Sequence, residues 1–119
     1  MKKTLVIGAS ENPSRYANKA IHKLVQHNHP VLALGLRAGE VAGIPIQTER
    51  EPFEAIDTVT LYVGPKHQPD YYEYIVSLQP QRVLFNPGTE NPEFYKILTQ
   101  NNIAFEAACT LVLLASQQY

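Results

Sequence analysis

The chain has 119 residues, 45% of them hydrophobic, and a formal net charge of -1. That is the size and apolar content of one domain with its own core, and the charge lacks the basic excess of a nucleic-acid binder. The longest apolar run near either end, residues 111–115, falls far short of the roughly 20 residues that span a bilayer. A single cysteine excludes an intrachain disulfide framework, which makes a reducing cytoplasm the expected location.

Apolar runs of strand type alternate with helical patterns along the chain, the mark of an α/β fold with a parallel sheet. Residues 4–7, Thr-Leu-Val-Ile, are continuously apolar rather than alternating, as in a strand covered on both faces. A polar loop leads to residues 16–28, where Ala17, Ala20, Ile21, Leu24 and Val25 recur at helical spacing, and Asn28 and Pro30 end that helix. Residues 31–35 predict a second strand. Residues 44–47 predict a weak third one, whose Pro45 suits a sheet edge. A helical turn over 52–56 is expected before a clear strand at 58–63.

Pro69 stands at a first helical turn, and Tyr71, Tyr72, Ile75 and Leu78 form the inner stripe of the helix it opens. A strand follows at 82–85. Asn91-Pro92-Glu93 is a strong helix start, with a capping side chain, a proline at the first helical position and an acid at the positive end. A short strand at 103–105 and a helix over 111–117 complete one domain over residues 1–119.

Ligands of open α/β sheets bind beyond the carboxyl ends of the strands. Four such ends carry small residues: Gly8-Ala9-Ser10, Gly35-Leu36-Arg37, Val63-Gly64-Pro65 and Asn86-Pro87-Gly88. The loop from Gly8 to Arg15 joins a strand to a helix, so amide groups and the helix dipole point at whatever lies there. Ser10, Asn12 and Ser14 add short donors, Arg15 and Lys19 add positive charge, and a diphosphate fits that description. Plain capping by Ser14 or Asn12 would need no ligand, and Glu11 opposes an anion.

The glycine-rich dinucleotide fingerprint is absent, and the acid that holds ribose hydroxyls is replaced by Gly35-Leu36-Arg37. Arginine there suits a further phosphate on the adenosine ribose, which leaves coenzyme A and NADP both open. No nucleophile–base pair or metal-ligand cluster stands out, so an enzyme is not implied. His22, His27 and His29 read as surface residues, and Cys109 as a buried, inert thiol.

The segment Val6-Ile7-Gly8-Ala9-Ser10-Glu11-Asn12-Pro13-Ser14-Arg15 resembles the opening of small bacterial coenzyme A-binding proteins, which are similar in turn to the nucleotide domain of the succinyl-CoA synthetase alpha subunit. The likeness continues through Phe85-Asn86-Pro87-Gly88-Thr89-Glu90-Asn91 and ends near Cys109. It implies a three-layer Rossmann-like fold with a five-stranded parallel sheet of order 3-2-1-4-5. It also implies a diphosphate cradled by Gly8, Ala9, Ser10, Asn12 and Arg15, adenosine near Leu36 and Arg37, and an opposite wall of Gly64, Pro65 and Lys66.

This chain departs from the family's Asn-Pro at the second strand end and from the basic residues beyond the terminal cysteine. The resemblance still implies coenzyme A or an acyl-CoA as the expected ligand, bound without catalysis, and leaves any protein partner unidentified. The alternatives are an NAD(P)-binding redox or sensor protein and a ligand-free interaction domain.

Overall fold

The computed structural model describes residues 1–119. Its elements are β1 (Thr4–Ile7), α1 (Tyr16–Gln26), β2 (Val31–Leu34), β3 (Gly39–Val41), β4 (Ile44–Gln47), β5 (Thr58–Leu61), α2 (Tyr72–Leu78), β6 (Arg82–Phe85), α3 (Pro92–Gln100), β7 (Ala104–Ala107) and α4 (Thr110–Ala115). They form an α/β, Rossmann-like fold around one mostly parallel sheet. No helix is long and apolar enough to cross a membrane.

The expectation of five parallel strands in order 3-2-1-4-5 is corrected. The sheet has seven strands in the order β3-β4-β2-β1-β5-β6-β7, and β3 runs antiparallel to β4. The antiparallel strand β3 joins the sheet through a two-residue turn, Ala42-Gly43, with φ of 51° and 81°. Two consecutive positive φ values match the right-handed twist of a hairpin, so the chain folds straight back on itself. The hairpin moves Pro45 off the sheet edge. Its missing N–H is tolerated because the parallel ladder with β2 begins only at Ala33–Ile46. The helical turn expected over 52–56 does not form, and residues 51–57 are irregular.

Alternation along the central strands divides the core. Leu5, Ile7, Val59, Leu61, Val83 and Phe85 face α2 and α3, where they meet Ile75, Phe94 and Leu98. Val6 and Ala33 face the other way, against Ala17, Ile21 and Leu24 of α1 and Leu114 of α4. Phe85 sits edge-on to Phe94 at 5.7 Å, an arrangement that the aromatic quadrupoles favour. α1 ends as the sequence indicates, with Asn28 left-handed (φ 64°) and the His29 amide bonded back to Leu24.

At the amino ends of the strands, Tyr119 closes the base of the sheet. Its carbonyl accepts from Lys2 Nζ at 2.6 Å, its ring lies under Arg82, and its hydroxyl bonds Thr4 Oγ1. His29 is not the free surface residue expected. It is half-buried, its Nδ1 accepts the Lys2 amide at 3.0 Å, and its ring packs on Tyr119 at 4.8 Å.

Candidate functional site

β1 lies between β2 and β5, so the connections leaving its two sides run in opposite directions and a crevice opens above its carboxyl end. The loops after β1, β2, β5 and β6 all reach this rim, bringing together the four segments picked out from the sequence.

Gly8 starts the first loop with φ +96°, and a Cβ there would lie 2.8 Å from the Tyr62 carbonyl oxygen. Conformation and space both require glycine. The neighbouring loop is equally tight, since a Cβ on Gly35 would lie 2.5 Å from the Ala9 carbonyl oxygen. Beyond this crossing the loop folds on its own side chains. Asn12 Oδ1 accepts from the Ser14 amide and hydroxyl, Ser10 Oγ accepts from the Asn12 amide, and buried Asn18 donates to the Ser10 carbonyl. Lys19 reaches back to the Pro13 carbonyl at 3.0 Å.

The structure redistributes the roles expected of this loop. The amides of Gly8 and Ala9 do not face the crevice. Both donate to the Leu34 carbonyl at 3.0 Å, so β2 has already claimed them. The donors left without a partner in the protein are the amides of Ser10, Glu11, Tyr16 and Ala17. α1 carries no side-chain cap: Arg15 occupies the capping position in an extended conformation, and neither Ser14 nor Asn12 caps the helix.

Glu11 is also accounted for. Its carboxylate turns across the loop to accept the Glu40 amide at 3.0 Å, and it packs where a side chain on Gly39 would sit. The acid ties the β3–β4 hairpin to the loop and lies on the hairpin side.

The other predicted residues fall into two groups. Leu36, 89% exposed, and Arg37, also exposed, stand free after β2. Gly64, Pro65 and Lys66 begin the turn after β5, where the Gly64 carbonyl accepts the His67 and Gln68 amides. Pro87 and Gly88 are exposed at the tip after β6. Asn86 is buried, and its side chain serves the protein. Nδ2 donates to Thr60 Oγ1 and the Leu61 carbonyl, while Oδ1 accepts the Thr110 amide, which locks β5, β6 and α4 together. Beside it, buried Gln68 bridges the Val63 and Thr89 carbonyls and receives Asn91 Nδ2.

One feature was not legible in the sequence. A cavity of about 220 Å³ opens at the rim between Tyr16, Tyr62, Asn86, Pro87, Cys109 and Leu111. Cys109 is partly exposed there. The Tyr62 hydroxyl is buried with no partner aligned for a hydrogen bond. Burial raises its pKa well above that of an ordinary phenol, and the nearby Thr110 and Thr60 hydroxyls offset this only in part. A wider groove of about 560 Å³ runs between α1 and α4 and gathers Lys19, His22, Lys23 and His27. No group of three or more His, Cys, Asp or Glu side chains is placed to hold a metal ion.

Comparison with known proteins bears on the chain as a whole. The sequence model of a family described as "CoA binding domain" matches residues 2–115. No curated protein matches the chain. Among solved structures, the chain is 47% identical to a crystal structure described as an uncharacterized protein, with a TM-score of 0.97 over 100% of this chain and 98% of that one. A hypothetical protein from Pyrococcus horikoshii OT3 is 26% identical, with a TM-score of 0.86 over 98% of this chain and 83% of its own. A protein of Thermus thermophilus, 24% identical over 99% and 90% of the two chains, shares the fold with a TM-score of 0.87.

Proposed function

This chain belongs to the CoA binding domain family, and from that premise we propose that it binds coenzyme A or an acyl-CoA at the β1 rim, without catalysing a reaction of its own. The observation that carries the reading is the open start of α1. The amides of Ser10, Glu11, Tyr16 and Ala17 lack partners at the positive end of a helix dipole, above the sheet's switch point. A diphosphate there accepts from those amides, with Arg15 beside it.

Arg37, exposed on the adjoining loop where NAD-binding proteins carry an acid, supports a ligand with an additional ribose phosphate. Leu36 offers an apolar surface to the adenine, and Gly64, Pro65 and Lys66 form the facing wall. Ser10, Asn12, Ser14 and Lys19 act on the ligand through the loop they hold in shape. Gly8 and Ala9 act by letting the loop cross β2. Asn86, Pro87 and Gly88 bound the far side. In this reading the protein is a cytoplasmic carrier or sensor of its ligand.

Thermal-shift titration against CoA, acetyl-CoA, NADP, NAD and ADP tests this reading. A ligand bound only by the folded state adds RT ln(1 + [L]/Kd), about 2.7 kcal/mol at 100-fold over Kd. CoA is expected to give the largest shift at a given concentration. A shift with NADP and none with CoA overturns the reading, and no shift with any nucleotide favours a ligand-free interaction domain.

A further inference from the structure

The rim accounts for the start of α1 and leaves the outer face of that helix unassigned. We propose that the groove between α1 and α4 is a docking site for another protein, and that it takes an amphipathic helix with acidic side chains along one edge. Docking there is separate from ligand binding at the rim and needs no ligand.

One wall of the groove is cationic, with nothing in the protein to neutralise it. Lys19, Lys23 and His27 recur every four residues with His22 beside them, a row about 12 Å long on one side of α1. Neither α1 nor α4 contains an acid, and residues 12–39 have none. Glu11, just before them, is turned to the Glu40 amide on the hairpin. The two lysine ammonium groups bond to the Pro13 carbonyl and the Gln26 side-chain amide, neither of which carries charge.

The other wall is apolar. Leu111 and Ala115 stand one turn apart on α4, and Val112, 61% exposed, extends that side of the helix. A row of cations facing an apolar wall is matched by a helix with carboxylates on one edge and apolar side chains on the next. A nucleic acid would use the cations and leave the apolar wall bare.

A second copy of this chain does not fit. Two grooves meeting about a two-fold axis would set like charges together. Nine of the eleven acids fall in residues 49–106, which build the α2 and α3 side of the sheet. Pairing the groove with that side is head-to-tail, which leaves both ends open unless a ring closes. The occupant is a different, acidic chain.

Selection from a displayed library of helical peptides about four turns long, randomised over Glu, Lys, Gln, Leu and Ala on one face, tests this. Enriched peptides should carry Glu at successive turns beside a Leu stripe. A synthetic copy of the leading peptide should bind the wild-type protein in fluorescence anisotropy, and more weakly as salt is raised. Its affinity should fall about ten-fold or more when His22→Glu and Lys23→Glu together reverse the cationic wall, and again when Ala115→Gln fills the groove with a neutral polar chain. These positions are exposed, so the variants should melt with the wild type, and Lys96→Glu on α3 should leave the affinity unchanged.

No enrichment, peptides without an acidic edge, or a leading peptide that binds the charge-reversed protein as well as the wild type overturns the assignment. If charge reversal matters and Ala115→Gln does not, the face is a cation patch open to any polyanion, and the assignment falls as well.

Discussion

Two helices begin at the same rim and begin differently. α3 is closed by its own sequence: Asn91 Oδ1 accepts the Glu93 and Phe94 amides, Pro92 lacks the N–H that would otherwise be orphaned, and Glu93 meets the positive end. α1 has an arginine at its capping position, no acid in its first turn and two first-turn amides without a partner. Chain length or burial does not explain the contrast, since α1 is the longer helix and buries five of its residues. A helix that forgoes a cap worth about 1 kcal/mol keeps its amides available, and the proposed function turns on that difference between a sealed start and an open one.

Breaking the loop that presents α1 has the largest expected effect. Gly8→Ala places a Cβ against the Tyr62 carbonyl at a φ that side chains avoid. It should cost about 3 kcal/mol in chemical denaturation and abolish any CoA-induced shift. An unchanged melt would show that the loop gives way freely. Arg37→Ala should weaken CoA binding by about 1–3 kcal/mol in calorimetry and leave dephospho-CoA binding unaltered. An equal loss for both ligands would move the ribose phosphate elsewhere.

Exchanging the characters of the two helix starts sharpens the comparison. Asn91→Ala should cost about 1–2 kcal/mol of stability with little change in ligand affinity. Arg15→Asp should do the reverse, stabilising the free protein by about 0.5–1 kcal/mol as the new carboxylate caps α1, while weakening CoA at least ten-fold. If Arg15→Asp binds CoA normally, α1 is not the anion site.

The smallest effect concerns the far end of the sheet. Burial lowers the pKa of His29 below its usual 6.5, and the positive charges of the N-terminus, His27, Lys2 and Arg82 add to this. The neutral ring accepts the Lys2 amide. The folded state therefore binds this proton less readily than the unfolded chain, so stability is present above about pH 6.5 and declines as the pH falls below it. Melting followed from pH 7.5 to 5 should show this slope, and His29→Gln should flatten it while CoA affinity stays unchanged.

The parts legible in the sequence are those determined locally. Leu5–Ile7 and Val83–Phe85 are continuous apolar runs because both faces of the sheet are covered, and Asn91-Pro92-Glu93 is complete within three residues. The hairpin escaped because Ala42-Gly43 lacks the Asn-Gly or Asp-Gly pair that usually marks such turns. The inward direction of the Gly8 and Ala9 amides is set by the Leu34 carbonyl, which only the folded sheet brings near. The cavity joins residues of α1, the strand ends after β5 and β6, and the start of α4, and no spacing rule links them. Cys109, read as inert from its apolar neighbours in sequence, borders that space because the chain turns at the end of β7.

The central claim is that anion binding at the start of α1 uses amides which the protein leaves unpaired. Amide-resolved NMR titration with CoA addresses it directly. The account predicts that Ser10, Glu11, Tyr16 and Ala17 shift most and saturate together, while Glu93 and Phe94 at the sealed start of α3 hold still. Saturable shifts confined to other parts of the surface, with the four loop and helix amides unmoved, would contradict it.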